Sequence, residues 1–448
     1  MSLFNTLATG ASGLSATGSG LGIIGDNIAN MNTTGFKKNV AQFEDMLPQS
    51  MGTRNGVSQL GRGVSVAGIA VNFNAGSLES SSSALDVGIG GKGFFQVHDG
   101  TNYMYTRNGS FHVDKDNYLV SGSGMRVQGY GVVDGTVITQ VNDLKLDLGP
   151  IEQKVTSELM LDAHLSADAE FTDVTGAITT PFAGLTLDGT AAGASIKEAS
   201  EEADYSTSVT VYDSLGLPHD ATVFFERTDT NDWSWSAVVD GGELDGATVP
   251  DDVGQAFEIS SGTMTFDADG ELVNFTEAAT GTAWNWPGAD PFNFQLKVGL
   301  DPLTGDPTDG AIKMVGSESY TSIISQDGWA SSHITNVQVD PDGAVQATYY
   351  NGEERTLGQV GIAIFPSDNG LARVGGNLFR PTRFSGDAAL GPPGTGGRGQ
   401  TVGYALERSN VDMEEEFVRM IQTQRSYQAN AGVIRSSDSS LQILVNLV

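Results

Sequence analysis

Gly88-Ile89-Gly90-Gly91-Lys92-Gly93 matches a dinucleotide-binding glycine pattern letter for letter. That chemistry needs a strand before the glycines and a helix after them, so that phosphate meets a helix N-terminus. Here Phe94-Phe95-Gln96-Val97 follows, which reads as a strand, so the glycines are expected to form a turn. Asp267-Ala268-Asp269-Gly270 and Asp340-Pro341-Asp342-Gly343 resemble the opening of calcium loops. Their twelfth positions would be Ala278 and Asn351 rather than a bidentate Glu, so these too read as turns. The five histidines, His98, His112, His164, His219 and His333, have no metal-ligand spacing. Trp233 and Trp235 lie two apart, as do Trp284 and Trp286. On strands each pair shares a face and would make either a sugar platform or, more simply, a core or cross-strand pair. No nucleophile elbow, HExxH pair or P-loop occurs. The expectation is a chain with no catalytic site, cofactor or metal: not an enzyme.

The elements around these residues are mostly short strands. Residues 84–150 alternate apolar and polar positions between turns such as Arg107-Asn108-Gly109 and Asp114-Lys115-Asp116-Asn117, which predicts a sandwich or barrel-like domain. Residues 48–63 read as an extended loop or hairpin, and 64–73 as strands with a slip near Gly68. Val209 and Val211, the turn Asp213–Asp220 and Thr222-Val223-Phe224-Phe225 read as a hairpin. Gln359–Phe365 reads as a buried strand and 385–401 as a Gly/Pro-rich linker.

The charge is uneven. The chain has 448 residues, no Cys and a net charge of −32. Residues 151–320 hold 31 Asp or Glu against 5 Lys or Arg, a local −26. Such an acidic middle argues against nucleic-acid binding and fits a solvated outer surface. No apolar run approaches the ~18 residues of a membrane span. No Lys or Arg precedes Lys37, so the charged start of a secretory signal is missing.

Helical periodicity is confined to the ends. Met413, Met420, Tyr427, Ile434, Leu441 and Val448 recur every seven residues, with Thr423, Asn430, Ser437 and Leu444 between them. Asp412, Glu414, Glu415 and Glu416 suit the positive end of a helix dipole, and Asn410 suits a cap. At the other end Leu7, Leu14, Leu21 and Ile28 repeat by seven, and Leu3, Gly10, Thr17, Ile24 and Met31 fill the alternate positions. Gly10, Gly13, Gly18, Gly20, Gly22 and Gly25 make this first helix costly, by about 3–6 kcal/mol relative to Ala. Two weak heptad helices at opposite ends of the chain predict a terminal helix pair that orders on assembly and is disordered in the isolated monomer.

At these ends the residues resemble a family. Asp26-Asn27-Ile28-Ala29-Asn30 with Thr34-Gly35-Phe36-Lys37 resembles the N-terminal signature of the bacterial flagellar rod, hook and hook-associated proteins. Leu406-Glu407-Arg408-Ser409-Asn410-Val411-Asp412 and Gln424-Arg425-Ser426-Tyr427-Gln428-Ala429-Asn430 resemble its C-terminal signature. Leu85-Asp86-Val87, Gly93-Phe94-Phe95 and Thr106-Arg107-Asn108-Gly109-Ser110-Phe111 also fit, and Thr210–Gly216 with His219 resembles the outer domain of the hook members.

The resemblance implies a mixed, nested fold. Residues 1–75 and 385–448 would form a coiled-coil-like inner helical domain with an extended linker segment. Residues 76–150 and 320–384 would form a middle β domain, and 151–319 an outer acidic β domain. It implies a structural subunit of the flagellar hook that polymerises into a curved tube, a universal joint carrying motor torque from rod to filament. The expected partners are copies of itself, the rod, hook-cap and hook–filament junction proteins, and the flagellar type III export apparatus, with no nucleic acid and no membrane insertion. The expected place is the basal body and hook, outside the cell after export. The expected polymer interface takes Leu7, Leu14, Leu21, Ile28, Met420, Tyr427, Ile434 and Leu441 from the heptads, and Asn27, Asn30, Phe36, Gln424, Arg425, Gln428 and Asn430 from the signatures. The alternatives are a distal rod subunit of the same family, since residues 48–63 form an extension, or a secreted β-rich adhesin or carbohydrate-binding protein using the Trp pairs.

Overall fold

A computed structural model describes residues 3–446 except 54–55, 134, 170–184, 186, 190–192, 246–251, 279–284, 292–294 and 299–311. The chain divides into two units, residues 1–149 with 334–448, and residues 150–333.

In the first unit the ends are helical, α1 over Leu3–Ala29 and, last in the chain, α3 over Met413–Asn446. Among the described residues no helix is long and apolar enough to cross a membrane. Behind α1 runs a β ribbon. Strand β1 (Asn39–Asp45) pairs antiparallel with β4 (Val64–Val71), and between them β2 (Gln49–Thr53) pairs with β3 (Gly56–Leu60). The 48–63 segment is thus a hairpin. The expected slip near Gly68 is a bulge: Gln42 faces Gly68, but Phe43 faces Val66.

The β part of this unit is a thirteen-stranded sheet that joins early and late strands. Its hub is Arg126–Val133. Arg126 and Val127 pair with His98 and Val97, while Gly129, Tyr130 and Gly131 pair with Val360, Gln359 and Gly358. Phe94, Tyr105, Ala363, Leu371 and Phe379 form one core, edged by Phe73 and Phe365 in T-shaped contacts. The glycine pattern is only partly a turn: Gly88, Ile89 and Gly90 belong to the strand Val87–Gly90, and residues 91–93 make the turn into Phe94–His98, with φ of 131° at Gly91 and 126° at Gly93. The expected linker 385–401 is corrected to ordered structure. Ala389–Gly391 pairs with Ile362–Ile364, and Gln400–Gly403 pairs with Val87–Gly90. Arg398 donates from Nε to the Ile362 carbonyl at 3.0 Å and from Nη2 to that of Ala389 at 2.9 Å, so a charged side chain ties down a Gly-rich segment.

The second unit packs two sheets with their own core. Five antiparallel strands run in chain order from Tyr205–Tyr212 to Leu272–Ala278. Glu158–Ser166 centres the other sheet, where it pairs with Gln295–Lys297, Lys313–Val315 and Tyr320–Gln326. The period of two sorts the side chains. Leu159, Leu161, Ala163 and Leu165 join Val223, Phe225, Trp233 and Trp235 in the main core. Phe224, one residue out of phase, faces the short helix α2 (Ile196–Glu202) with Ala199, Val238 and Ala256. A capping box of Ser195 and Glu198 starts that helix. Trp233 and Trp235 are fully buried, which makes them core and removes them as a sugar platform; Trp284 lies outside the described residues.

The hairpin at Asp213 is as expected. Strand Tyr205–Tyr212 returns as Pro218–Arg227, and the Asp213 carboxylate accepts the Leu215 and Leu217 N–H groups. Asp267 and Asp340 both shape turns: Asp267 accepts the N–H groups of Asp269 and Glu271, and the Gly343 N–H donates to the Asp340 carbonyl. The boundary at 320 is corrected. Tyr320–Gln326 belongs with the second unit, because it pairs along Glu158–Ser166 and completes that sheet.

One carboxyl holds the ends of this unit. Burial pushes the Asp327 carboxyl up, but the Glu158 and Ser157 N–H groups, the Lys154 ammonium and the Ser157 hydroxyl hold it far below the usual range. Its folded value lies below the unfolded one of about 3.9, so its contribution is complete above that pH and is lost as pH falls through the folded value. All five Trp lie in 150–333, so Trp fluorescence reports this unit alone. Acid titration of urea unfolding followed by Trp fluorescence should show stability falling below about pH 4, and Asp327→Asn should flatten that dependence.

Candidate functional site

The two helices close a seam along their length. Gly10, Gly13, Ala16, Gly20, Ile24 and Asn27 are the buried positions of α1. They meet Glu416, Thr423, Asn430 and Ile434 in reverse order, so the helices are antiparallel. A Cβ on Gly13 would stand 2.8 Å from the Asn430 side chain, and one on Gly10 would stand 3.1 Å from Ile434. Glycine at these positions is therefore a hole that a partner side chain fills, and the helix propensity it costs is offset by close approach. The expected register is corrected by one row. The seam uses the Gly10, Thr17, Ile24 series with Gly13, Gly20 and Asn27, while Leu7, Leu14, Leu21 and Ile28 are half-buried along its flank. Leucines in the seam would hold the axes apart at the usual ~8–10 Å.

At the α3 end the seam turns polar. Asn27 is 1% exposed. Its amide nitrogen donates to the Asn39 carbonyl at 2.8 Å and to Glu416 Oε2 at 3.2 Å, and its oxygen accepts the Asn39 N–H at 2.8 Å. Glu416 is buried, with Oε1 3.8 Å from Arg419 Nη1. Asn410 fixes the entry to α3: its oxygen accepts the Lys38 N–H, and its nitrogen donates to the carbonyls of Asn72 and Asn74. Asp412 accepts the N–H groups of Glu414 and Glu415, so it is the capping carboxylate in place of the expected Asn410.

Below the seam lies a buried ion triad. Lys37 Nζ donates to Glu407 Oε1 at 2.5 Å and to the Asn74 carbonyl at 2.9 Å. Arg107 Nη1 donates to Glu407 Oε2 at 3.2 Å, and the Gly76 N–H donates to Oε1 at 2.8 Å. Lys37 and Glu407 side chains are 0% exposed. Burial pushes both Lys37 and Arg107 down, and Glu407 opposes that in each case. One residue comes from each of three segments: after α1, at the turn that follows the strand Tyr103–Thr106, and before α3. Gly35 beside them has φ 68° and its N–H donates to the Glu407 carbonyl.

The fifteen expected interface residues separate into three groups. Asn27 and Phe36 are buried within the chain, Phe36 beneath the Arg373 guanidinium at 5.0 Å, so neither is available to a partner. Leu7, Leu14, Leu21, Ile28, Asn30, Met420, Asn430, Ile434 and Leu441 are half-buried. Gln424, Arg425, Tyr427 and Gln428 are exposed. The expectation lacked Lys37, Arg107, Glu407 and Glu416. Glu416 was open to detection, since it extends the Thr423, Asn430, Ser437 series by one step of seven.

Comparison with known proteins follows the same layout. Residues 7–37 match the flagella basal body rod protein family, 88–160 the flagellar hook protein FlgE/F/G D1 domain, 186–329 the flagellar basal body protein FlaE D2 domain, and 402–447 the flagellar basal body rod FlgEFG protein C-terminal family. The flagellar hook protein FlgE of Escherichia coli (strain K12) is 32% identical over 97% of this chain and 98% of its own. That of Borreliella burgdorferi is 31% identical over 99% and 100%. The crystal structure of Helicobacter pylori flagellar hook protein FlgE2 aligns with 72% of this chain and 98% of its own at 13% identity and a TM-score of 0.49.

Removing the anion from the triad leaves two buried cations. Glu407→Gln is expected to destabilise the first unit by about 3–5 kcal/mol. Its far-UV circular dichroism transition should move to lower urea while the Trp transition of residues 150–333 stays in place.

Proposed function

We propose a role from one premise: the chain belongs to the flagellar hook protein family and is a structural subunit of the bacterial flagellar hook. Copies polymerise into a curved tube that passes motor torque from rod to filament. The observation that carries this is the state of the helix pair. Its seam is filled within the chain, yet Phe417, Val418 and Ile421 on α3 are 46%, 55% and 51% exposed, and the Leu7, Leu14, Leu21 row of α1 is only half-covered. Two apolar faces on one pair of helices are what a lattice of copies would bury.

The finer organisation belongs to the same proposal. The helix pair and ribbon are the inner domain, the large sheet is the middle domain, and the acidic unit is outermost. The subunit leaves the cell through the flagellar type III export apparatus and ends between rod and hook–filament junction, under the hook cap. Its work is mechanical, without catalysis. Like charge on neighbouring acidic units opposes their compression on the inner side of the bend, screened beyond about 8 Å at physiological salt.

Two substitutions separate seam from lattice. Ile434→Asp should open the helix pair and abolish tubes. Leu14→Asp should keep the pair, and monomer helicity by circular dichroism, yet still block tubes in electron microscopy. Normal tubes from Leu14→Asp would exclude that flank from the lattice.

A further inference from the structure

The face of α3 turned away from α1 carries its own pattern. Two residues of helix rotate by about 200°, so positions offset by two from the Glu416, Thr423, Asn430, Ser437 series lie opposite the seam. That outer row is Glu414, Val418, Ile421, Arg425, Gln428 and Arg435, spaced alternately by four and three apart from the gap at Gly432. All six side chains are exposed. Two apolar residues therefore sit between an anion and a cation on one stripe.

The ion pairs of this helix's first turns involve residues beside the stripe. Glu415 takes Lys38 at 2.8 Å and Arg419 at 2.6 Å, and Glu416 takes Arg419 at 3.8 Å. Among the described residues, Glu414, Arg425 and Arg435 form no ion pair. Glu414 and Arg425 are eleven residues apart. They point within about 20° of the same direction, about 16 Å apart along the axis.

We infer that this stripe is a contact between copies, in which parallel neighbours are offset along α3 by eleven residues, so that Arg425 of one copy pairs with Glu414 of the next. The inference rests on the reading that copies assemble side by side in one polarity. The offset places a cation beside an anion at one end. It also places Arg435 level with Gln424, whose amide oxygen accepts a hydrogen bond. Without an offset, like charge would face like charge at each level, which is unfavourable. Val418 and Ile421 then lose their water to the neighbouring helix.

The absence of cysteine makes the test clean. Tubes assembled from the double variant Glu414→Cys/Arg425→Cys and mildly oxidised should give a ladder of cross-linked chains on denaturing gels. Either single variant should give none. Within one helix the two sulfurs are too far apart to join, since a disulfide needs Cα atoms within about 7 Å. In parallel, Arg425→Glu should raise the concentration needed for assembly by roughly two- to tenfold, and Glu414→Arg/Arg425→Glu should restore it. Cross-linked dimers with nothing longer would mean an antiparallel pair and overturn the inference. So would parent tubes unaffected by Arg425→Glu. A parent chain that forms no tubes would overturn the assembly reading beneath it instead.

Discussion

Close approach of the two terminal helices is the constraint on which the inner part of the molecule depends. It requires side chains small enough at Gly10, Gly13 and Gly20 for Asn430, Ile434 and Thr423 to fill the gaps. An isolated α1 with six glycines would not hold its shape, so packing against α3 stabilises what propensity does not. The sheet makes that packing accessible. Strand Arg126–Val133 already pairs with Glu354–Val360, and Ala405–Glu407 pairs with Leu78–Ser80, so the chain ends meet without closing the whole chain as one loop.

The buried triad then fixes where helices end and sheet begins. Lys37, Arg107 and Glu407 are costly to desolvate, and an apolar cluster of equal volume would serve bare stability as well. Their arrangement specifies direction instead. Each forces one of three chain segments to a single place, while Asn410 and Asn27 hold the neighbouring backbone.

Much of this was legible in the residues. The terminal heptads, the slip near Gly68, the hairpin at Asp213 and the glycine turn at 91–93 each follow from local spacing. Three features did not. The seam register is one: on α1 it takes Gly13, Gly20 and Asn27, each one residue before Leu14, Leu21 and Ile28, and glycine reads as a propensity cost until a partner side chain reveals it as a hole. The 385–401 segment read as linker because its strands are short and its order comes from Arg398 reaching across to Ile362 and Ala389. The triad joins residues 370 and 300 positions apart, beyond any local pattern, although each member lies inside a stretch that resembles the family.

The central claim is that the glycine seam closes within one chain and leaves the outer faces to other copies. The most direct measurement is disulfide formation across that seam in assembled tubes, with Gly20→Cys and Thr423→Cys. Carried on the same chain, the pair should cross-link without any gain in mass. In tubes grown from an equal mixture of the two single variants, no cross-linked dimer should form. Efficient dimers in the mixture would show that α1 packs on the α3 of another copy, and would contradict the account.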